Sequence, residues 1–345
     1  YNVLAQCKLE SLSLSTALLA IYKTLGSNLM KQLLYILLIA IPALSFSQKV
    51  TIEIDTLDIS KNGRLTEVAF FNDNLYLLFQ TSRKNTSASF KSMKVYDTNG
   101  EFVENVFLPK EAISMPYCDL RVNNERLFLK QEHSFTEKTF LLEKYVADFN
   151  QIKDTVVNIY EDSDFKIYPN CNGEWGSSTY FEDKKKNKIY EFSSSCNFNF
   201  EKTTNGYLLT NGNELLIIKN PTELYESTLT FDRSYLEKQN QGIDTLFKSD
   251  YDLYSSFHLD NKLFTIYGDS LNTHIGELKN NELKSAHKFE KPYRFSYWFK
   301  DNNTNSQILR MFTYENKNDF GMLEGYKILG FVLINNGKIK MYYIK

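Results

Sequence analysis

The chain has 345 residues, with 40 Lys and Arg against 42 Asp and Glu and a formal net charge of −2. That balance excludes the one-sided basic footprint of a nucleic-acid binder; the single basic run, Lys184-Lys185-Lys186, sits beside Glu182 and Asp183 and reads as a solvated turn. Tyr (23) and Phe (26) are abundant while Gly (14) and Pro (6) are scarce, so a strand-rich chain must turn largely on Asn and Asp.

Residues 30–47 read as an export signal. Met30 is followed by Lys31, an apolar run from Leu33, a helix-breaking Pro42, and small Ser45 and Ser47 before Gln48. The apolar part is about 14 residues long, short of the roughly 20 that span a bilayer, so the mature chain is expected to carry no transmembrane anchor. Residues 1–29 are then an upstream extension outside the working protein, and residues 48–345 form a single domain. A rival account makes the apolar stretch 12–22 part of a longer membrane-interacting N-terminus.

Strand signals begin at once. Residues 50–54 (VTIEI) alternate as a half-buried strand does. A strand–turn–strand unit then recurs. It turns at Asn99-Gly100, near Asn150, at Asn220-Pro221, at Asn280-Asn281 and at Asn336-Gly337, in steps of about 50 to 70 residues. Asn-Gly between apolar strands predicts a type I′ turn, with positive φ at both central positions. A polar–aliphatic–aromatic triplet precedes several hairpins: Asn74-Leu75-Tyr76, Arg126-Leu127-Phe128, Lys188-Ile189-Tyr190 and Lys262-Leu263-Phe264. Two strands before and two in the hairpin make a four-stranded sheet of about 50 residues, the size of a propeller blade.

This rhythm resembles the degenerate β-propeller repeats of exported Bacteroidetes-type proteins, without a WD dipeptide, kelch glycine pair or Asp-box. The resemblance implies an all-β fold, a propeller of five or six four-stranded blades, in the periplasm or outer-membrane periphery of a Gram-negative cell. The widest step, around residues 162–180, is either a degenerate blade or a long loop. A β-sandwich pair is the alternative fold, since hairpin spacing alone does not separate the two. The isolated strand at residues 50–54 and the strand pair running to the last residue favour closure, because ends that share one blade leave no exposed edge.

The mature cysteines are Cys118, Cys171 and Cys196. Cys171 and Cys196 flank one strand-and-turn region and are the candidate disulfide; Cys118 is expected as a small buried hydrophobe. His133, His258, His274 and His287 share no metal-ligand spacing. The acidic runs at residues 161–164 and 250–252 read as solvated turns, so neither a metal nor a cofactor is expected. Two segments stand out as binding candidates. Residues 168–180 (YPNCNGEWGSSTY) place Glu174, Trp175 and Tyr180 in a polar stretch. In residues 293–299 (YRFSYWF), alternation puts Arg294 and Trp298 on one face and Tyr297 with its aromatic neighbours on the other. Aromatics beside Arg or Glu suit a glycan or protein partner, although an inner strand packed between sheets would produce the same alternation. The residues lean towards a non-enzymatic binding or scaffold protein with its site on one propeller rim. A glycan-active enzyme using a carboxylate pair and a structural envelope protein are the alternatives.

Overall fold

The structure is a computed structural model and describes residues 51–82, 89–108, 110–113, 118–123, 126–131, 139–142, 151–152, 160–171, 177–194, 198–227, 241–269, 271–296, 306–313 and 328–345. Residues 50–345 form one compact unit. The expected export signal lies outside the described residues, and among those described no helix is long and apolar enough to cross a membrane.

Six sheets follow one another along the chain. The first strand, β1 (Ile52–Leu57), is held back for the last sheet. Blade 1 is β2 (Arg64–Phe71), β3 (Asn74–Ser82), β4 (Ser89–Asp97) and β5 (Phe102–Val106). Blade 2 is β6 (Cys118–Asn123), β7 (Arg126–Gln131), β8 (Thr139–Leu142) and β9 (Gln151–Ile152). Blade 3 is β10 (Tyr160–Glu161), β11 (Phe165–Cys171), β12 (Ser177–Asp183) and β13 (Lys188–Ser193). Blade 4 is β14 (Phe198–Thr203), β15 (Gly206–Asn211), β16 (Glu214–Ile218) and β18 (Asp244–Lys248); the intervening β17 (Tyr225–Glu226) joins the outer edge of blade 3. Blade 5 is β19 (Asp252–Leu259), β20 (Lys262–Gly268), β21 (Thr273–Lys279) and β22 (Glu282–Lys288). Blade 6 is β23 (Tyr293–Ser296), β24 (Gln307–Thr313), β25 (Ile328–Asn335) and β26 (Lys338–Ile344).

The ring closes through β1, which pairs with β26 from Ile52 opposite Ile339 to Leu57 opposite Ile344. The two chain ends therefore share a blade. The pairing is parallel, so β1 is a fifth strand added to a complete four-stranded blade rather than one of its four.

Among the described residues, apolar faces pack blade on blade at five of the six junctions. Phe264 and Ile275 of blade 5 meet Leu309 and Met341 of blade 6, and Phe331 and Tyr342 of blade 6 meet Leu77 and Phe79 of blade 1. Leu78 and Met93 meet Leu120 and Leu129 across blades 1 and 2. Phe181 and Phe192 meet Leu209 and Ile218 across blades 3 and 4, while Leu215 meets Leu253 and Tyr267 across blades 4 and 5. First and last sheets touching in this order make a six-bladed β-propeller, not a sandwich pair.

Local chemistry explains where the turns match expectation and where they depart. Asn280-Asn281 and Asn336-Gly337 have positive φ at both positions, as do Asn72-Asp73 and Asp260-Asn261; Asn and Asp tolerate this region because a short polar side chain hydrogen-bonds locally. At Asn99-Gly100 only the glycine has positive φ. There the Asp97 carboxylate accepts from the backbone N–H groups of Asn99 and Glu101, at 2.9 and 2.8 Å, and the ladder slips between Val95 and Tyr96. The result is a bulged hairpin instead of the expected two-residue type I′ turn.

Asn220-Pro221, by contrast, is not a hairpin. Asn220 caps a 3-10 turn over Pro221–Glu223, the next strand leaves for blade 3, and β16 finds its partner in β18. The widest interval between expected turns holds all of blade 3. Its outer hairpin turns on the lysine run, where the Asp183 side chain accepts from the N–H groups of Lys185 and Lys186, both at 2.9 Å. In β1 the apolar-in alternation holds only in part: Ile52 packs against the core between blades 5 and 6, whereas Ile54 is 58% exposed. The turn expected near Asn150 lies outside the described residues.

Candidate binding site

Three turns from three blades, Thr204-Asn205, Asp260-Asn261 and Asn336-Gly337, meet around a cavity of about 680 Å³. That size falls within the range of roughly 300–1,000 Å³ typical of small-molecule sites. Its apolar lining comes from Leu208, Ile217, Phe257, Leu259 and Ile334, and its polar lining includes Glu201, His258, Asp260, Asn261 and Gln307.

Glu201 and His258 stand on β14 and β19, the first strands of adjacent blades. The His258 imidazole Nδ1 lies 3.0 Å from Glu201 Oε2. The carboxylate side chain is only 14% exposed and the imidazole 39%, so the pair presents the histidine to solvent and holds the acid behind it. Lys202 also borders the cavity, but its ammonium sits 3.6 Å from the Tyr207 ring centre and 3.7 Å from Asp162 Oδ2. Its charge is therefore engaged outside the Glu201–His258 pair.

Behind the cavity a buried chain of neutral polar groups ties the three blades together. Thr210 on β15 donates to Ser256 Oγ on β19 at 2.9 Å, and Ser256 donates to Thr265 on β20 at 3.1 Å. Thr265 in turn donates to the Ser255 carbonyl at 2.8 Å. From blade 6, Gln307 Nε2 donates to Ser255 Oγ at 2.6 Å. Gln307 is 2% exposed, and its Oε1 has no hydrogen-bond partner among the described residues.

A second polar cluster joins blades 6, 1 and 2. Arg310 on β24 donates to Glu67 on β2, and Arg121 donates to Asp119 at 3.0 Å, both on β6. All four side chains are buried. Burial pushes the Glu67 carboxyl up to about 8; Arg310 opposes the shift and Asp119 adds to it. With Arg310 and Arg121 held against them, these carboxyl groups serve the joint between blades.

The sequence candidates distribute as follows. Glu174, Trp175, Tyr297, Trp298 and Cys196 lie outside the described residues, as does the side chain of Cys171, which ends β11. Tyr180 is half-buried on β12 and stacks on Tyr168 with ring centres 5.5 Å apart. Arg294 is exposed on β23, while its neighbours Tyr293 and Phe295 turn into the core. The structure thus puts Tyr180 and Arg294 in separate blades, and neither lines the cavity. Cys118 is buried in the core of blades 1 and 2. The acidic run at residues 161–164 is a turn in which Asp162 accepts from the N–H groups of Asp164 and Phe165, both at 2.8 Å. Lys184 and Lys185 pair with Glu161 and Asp164 beside it. No cluster of three or more His, Cys, Asp or Glu suited to a metal occurs among the described residues. Glu201 and Gln307 are absent from the sequence candidates, and His258 enters there only as a histidine without metal-ligand spacing; the one available signal was its place two residues ahead of a tight Asp-Asn turn.

No protein-family model matches this sequence, and no curated protein does. Among solved structures, the chain is similar to an exo-β-1,3-galactanase from Phanerochaete chrysosporium, with 7% identity over 74% of each chain and a TM-score of 0.32. It is also similar to Hsv2 from Kluyveromyces lactis, with 10% identity over 82% of this chain and 98% of that one, at a TM-score of 0.34. A prolyl endopeptidase gives 9% identity over 80% of this chain and 41% of that one, with a TM-score of 0.37. At these scores the similarities carry no argument about activity; the fold rests on the strand order and closure described above.

Proposed function

We propose that this chain is an exported, non-enzymatic propeller that binds a saccharide in the cavity shared by blades 4, 5 and 6. The observation that supports it is the lining itself: an acid–imidazole pair, turn carboxamides and a buried amide set beside aliphatic side chains. A sugar presents the matching surface, hydroxyls around its edge and C–H groups on its faces, and such sites combine an apolar wall with a few placed polar groups. The export-signal pattern of residues 30–47 supports a location in the periplasm or at the outer-membrane periphery.

A glycosidase needs two carboxyl groups flanking the scissile bond. Two carboxyl groups, Glu201 and Asp260, line the cavity, so the separation of binding from turnover is made by experiment. The test is a glycan array combined with a hydrolysis screen on the full chain. Binding without product supports the proposal. Product formation makes the protein an enzyme, and silence on both leaves a protein partner or a structural role.

A further inference from the structure

We infer that His258 selects the ligand of this cavity and that Glu201 is its positioning residue: by accepting from Nδ1–H, Glu201 leaves Nε2 of the ring as an acceptor for one sugar hydroxyl. The inference rests on the saccharide-binding reading above and adds which atom meets the sugar and what prepares it. His258 lines the cavity and keeps 39% of its side chain exposed. Among the described residues its ring makes one hydrogen bond, between Nδ1 and Glu201 Oε2 at 3.0 Å. An ionised carboxylate can only accept, so Nδ1 carries the proton of the neutral ring and Nε2 carries a lone pair. Nε2 stands at the edge of the imidazole away from Cβ. The exposed share of the pair belongs mostly to that ring, since the Glu201 side chain is only 14% exposed.

The backbone holds the pair in place. Ser256 and His258 lie two residues apart on β19, so they share one face of the strand. Ser256 is tied to Thr210 of blade 4 at 2.9 Å, and His258 is tied to Glu201 of the same blade. Two links from one strand face to one neighbouring blade fix where the ring stands before a ligand arrives, which is what selection by a single atom requires.

The experiment has two readouts on the full chain. The first uses 15N-labelled histidine and two-bond proton–nitrogen correlation spectra at about pH 8, which tell a protonated ring nitrogen from a bare one. The signals of His258 are those lost in His258→Asn, and they should show Nδ1–H with Nε2 bare. Glu201→Gln no longer dictates the donor and should move them toward the Nε2–H form that free histidine favours. The second readout is binding of D-glucose, D-galactose and D-mannose and of the monodeoxyfluoro analogues of each sugar that binds. Fluorine cannot donate, so one analogue should bind about tenfold more weakly than its parent. In His258→Asn, whose amide can still donate to Glu201 but has no acceptor at the Nε2 position, the parent should weaken to that level and the difference should vanish. His258→Gln, which can bring an amide oxygen close to that position, should recover part of the loss. Equal binding of all analogues to the unaltered protein overturns the inference, whether or not the variants fold. So does Nε2–H in the unaltered chain, an unchanged ring in Glu201→Gln, or a fluorine penalty that survives in His258→Asn. In those cases saccharide binding itself stands. If none of the three hexoses binds, the inference falls together with the reading beneath it.

Discussion

Arg310 on β24 donates its Nη1–H to Oε1 of Glu67 on β2, joining the last blade to the first between residues 243 positions apart. The same guanidinium also reaches the Thr66 carbonyl at 3.4 Å. This contact and the β1–β26 ladder are two separate clasps on one closure, one made by side chains and one by backbone.

Arg310→Met should therefore be strongly destabilising. Removing the guanidinium leaves the buried Glu67 carboxyl without its hydrogen-bond partner and opens the Thr66 carbonyl contact, at a cost of about 1–3 kcal/mol for each buried polar group left unpaired. Thermal unfolding followed by circular dichroism would show a melting temperature several degrees lower. An unchanged melting temperature would mean that the pair is dispensable for closure.

Glu67 also makes stability depend on pH. Its folded pKa of about 8 lies above the reference value of 4.5, so the folded state binds the proton more tightly than the unfolded chain does. The corresponding stability is fully present below pH 4.5 and is lost as pH rises through about 8. Urea unfolding across that window should show the decline, and Glu67→Gln, which cannot ionise, should flatten it. An equal decline in Glu67→Gln would assign the effect to other groups.

The backbone clasp can be tested by truncation. A chain beginning at Asp58 lacks β1 and with it Leu57, which is 2% exposed and accepts from the Lys345 N–H at 3.0 Å. Losing one buried leucine costs roughly 2–3 kcal/mol, and the uncovered β26 becomes an open sheet edge prone to pairing between molecules. Compared with a chain beginning at Gln48, the shorter one should melt earlier and elute as aggregate in size-exclusion chromatography. A monomeric product of equal stability would show that β1 is decoration.

Two glycines in blade 4 give a contrasting pair. Gly206 has φ of +133°, and a Cβ there would collide with the backbone of Ile218 and Lys219; Gly212 has φ of +62° with nothing within 4 Å of a Cβ. Gly206→Ala combines backbone strain with a steric clash and should cost about 2 kcal/mol or more. Gly212→Asn should stay within about 1 kcal/mol, since Asn already occupies this region of φ at other turns of the chain. Chemical denaturation of the two variants checks the ranking.

Much of the fold could be read from local chemistry. Asn280-Asn281 and Asn336-Gly337 announce hairpins because both positions in each must take positive φ, and these turns supply the propeller rhythm. For blade 3 the sequence leaves a degenerate blade and a long loop both open, because its outer hairpin turns on Asp183 and three lysines, which carry no glycine signal. The Asn220 hairpin failed because pairing of β17 with β13 and of β16 with β18 depends on contacts made after folding. The cavity was invisible for a related reason. Glu201, His258 and Gln307 are each about 50 residues apart, one per blade, and only ring closure brings them to one place.

The measurement that bears most directly on the saccharide-binding reading is calorimetric titration of the full chain with the strongest saccharide from the array. It is repeated with Glu201→Gln and His258→Ala, and the sugar is recovered afterwards and checked for cleavage. Binding should be saturable and about tenfold weaker in each variant, because a hydrogen bond to the ligand is lost, with the sugar returned intact. Full affinity in both variants would place the ligand somewhere other than blades 4 to 6, and recovery of cleaved sugar would contradict a non-enzymatic role.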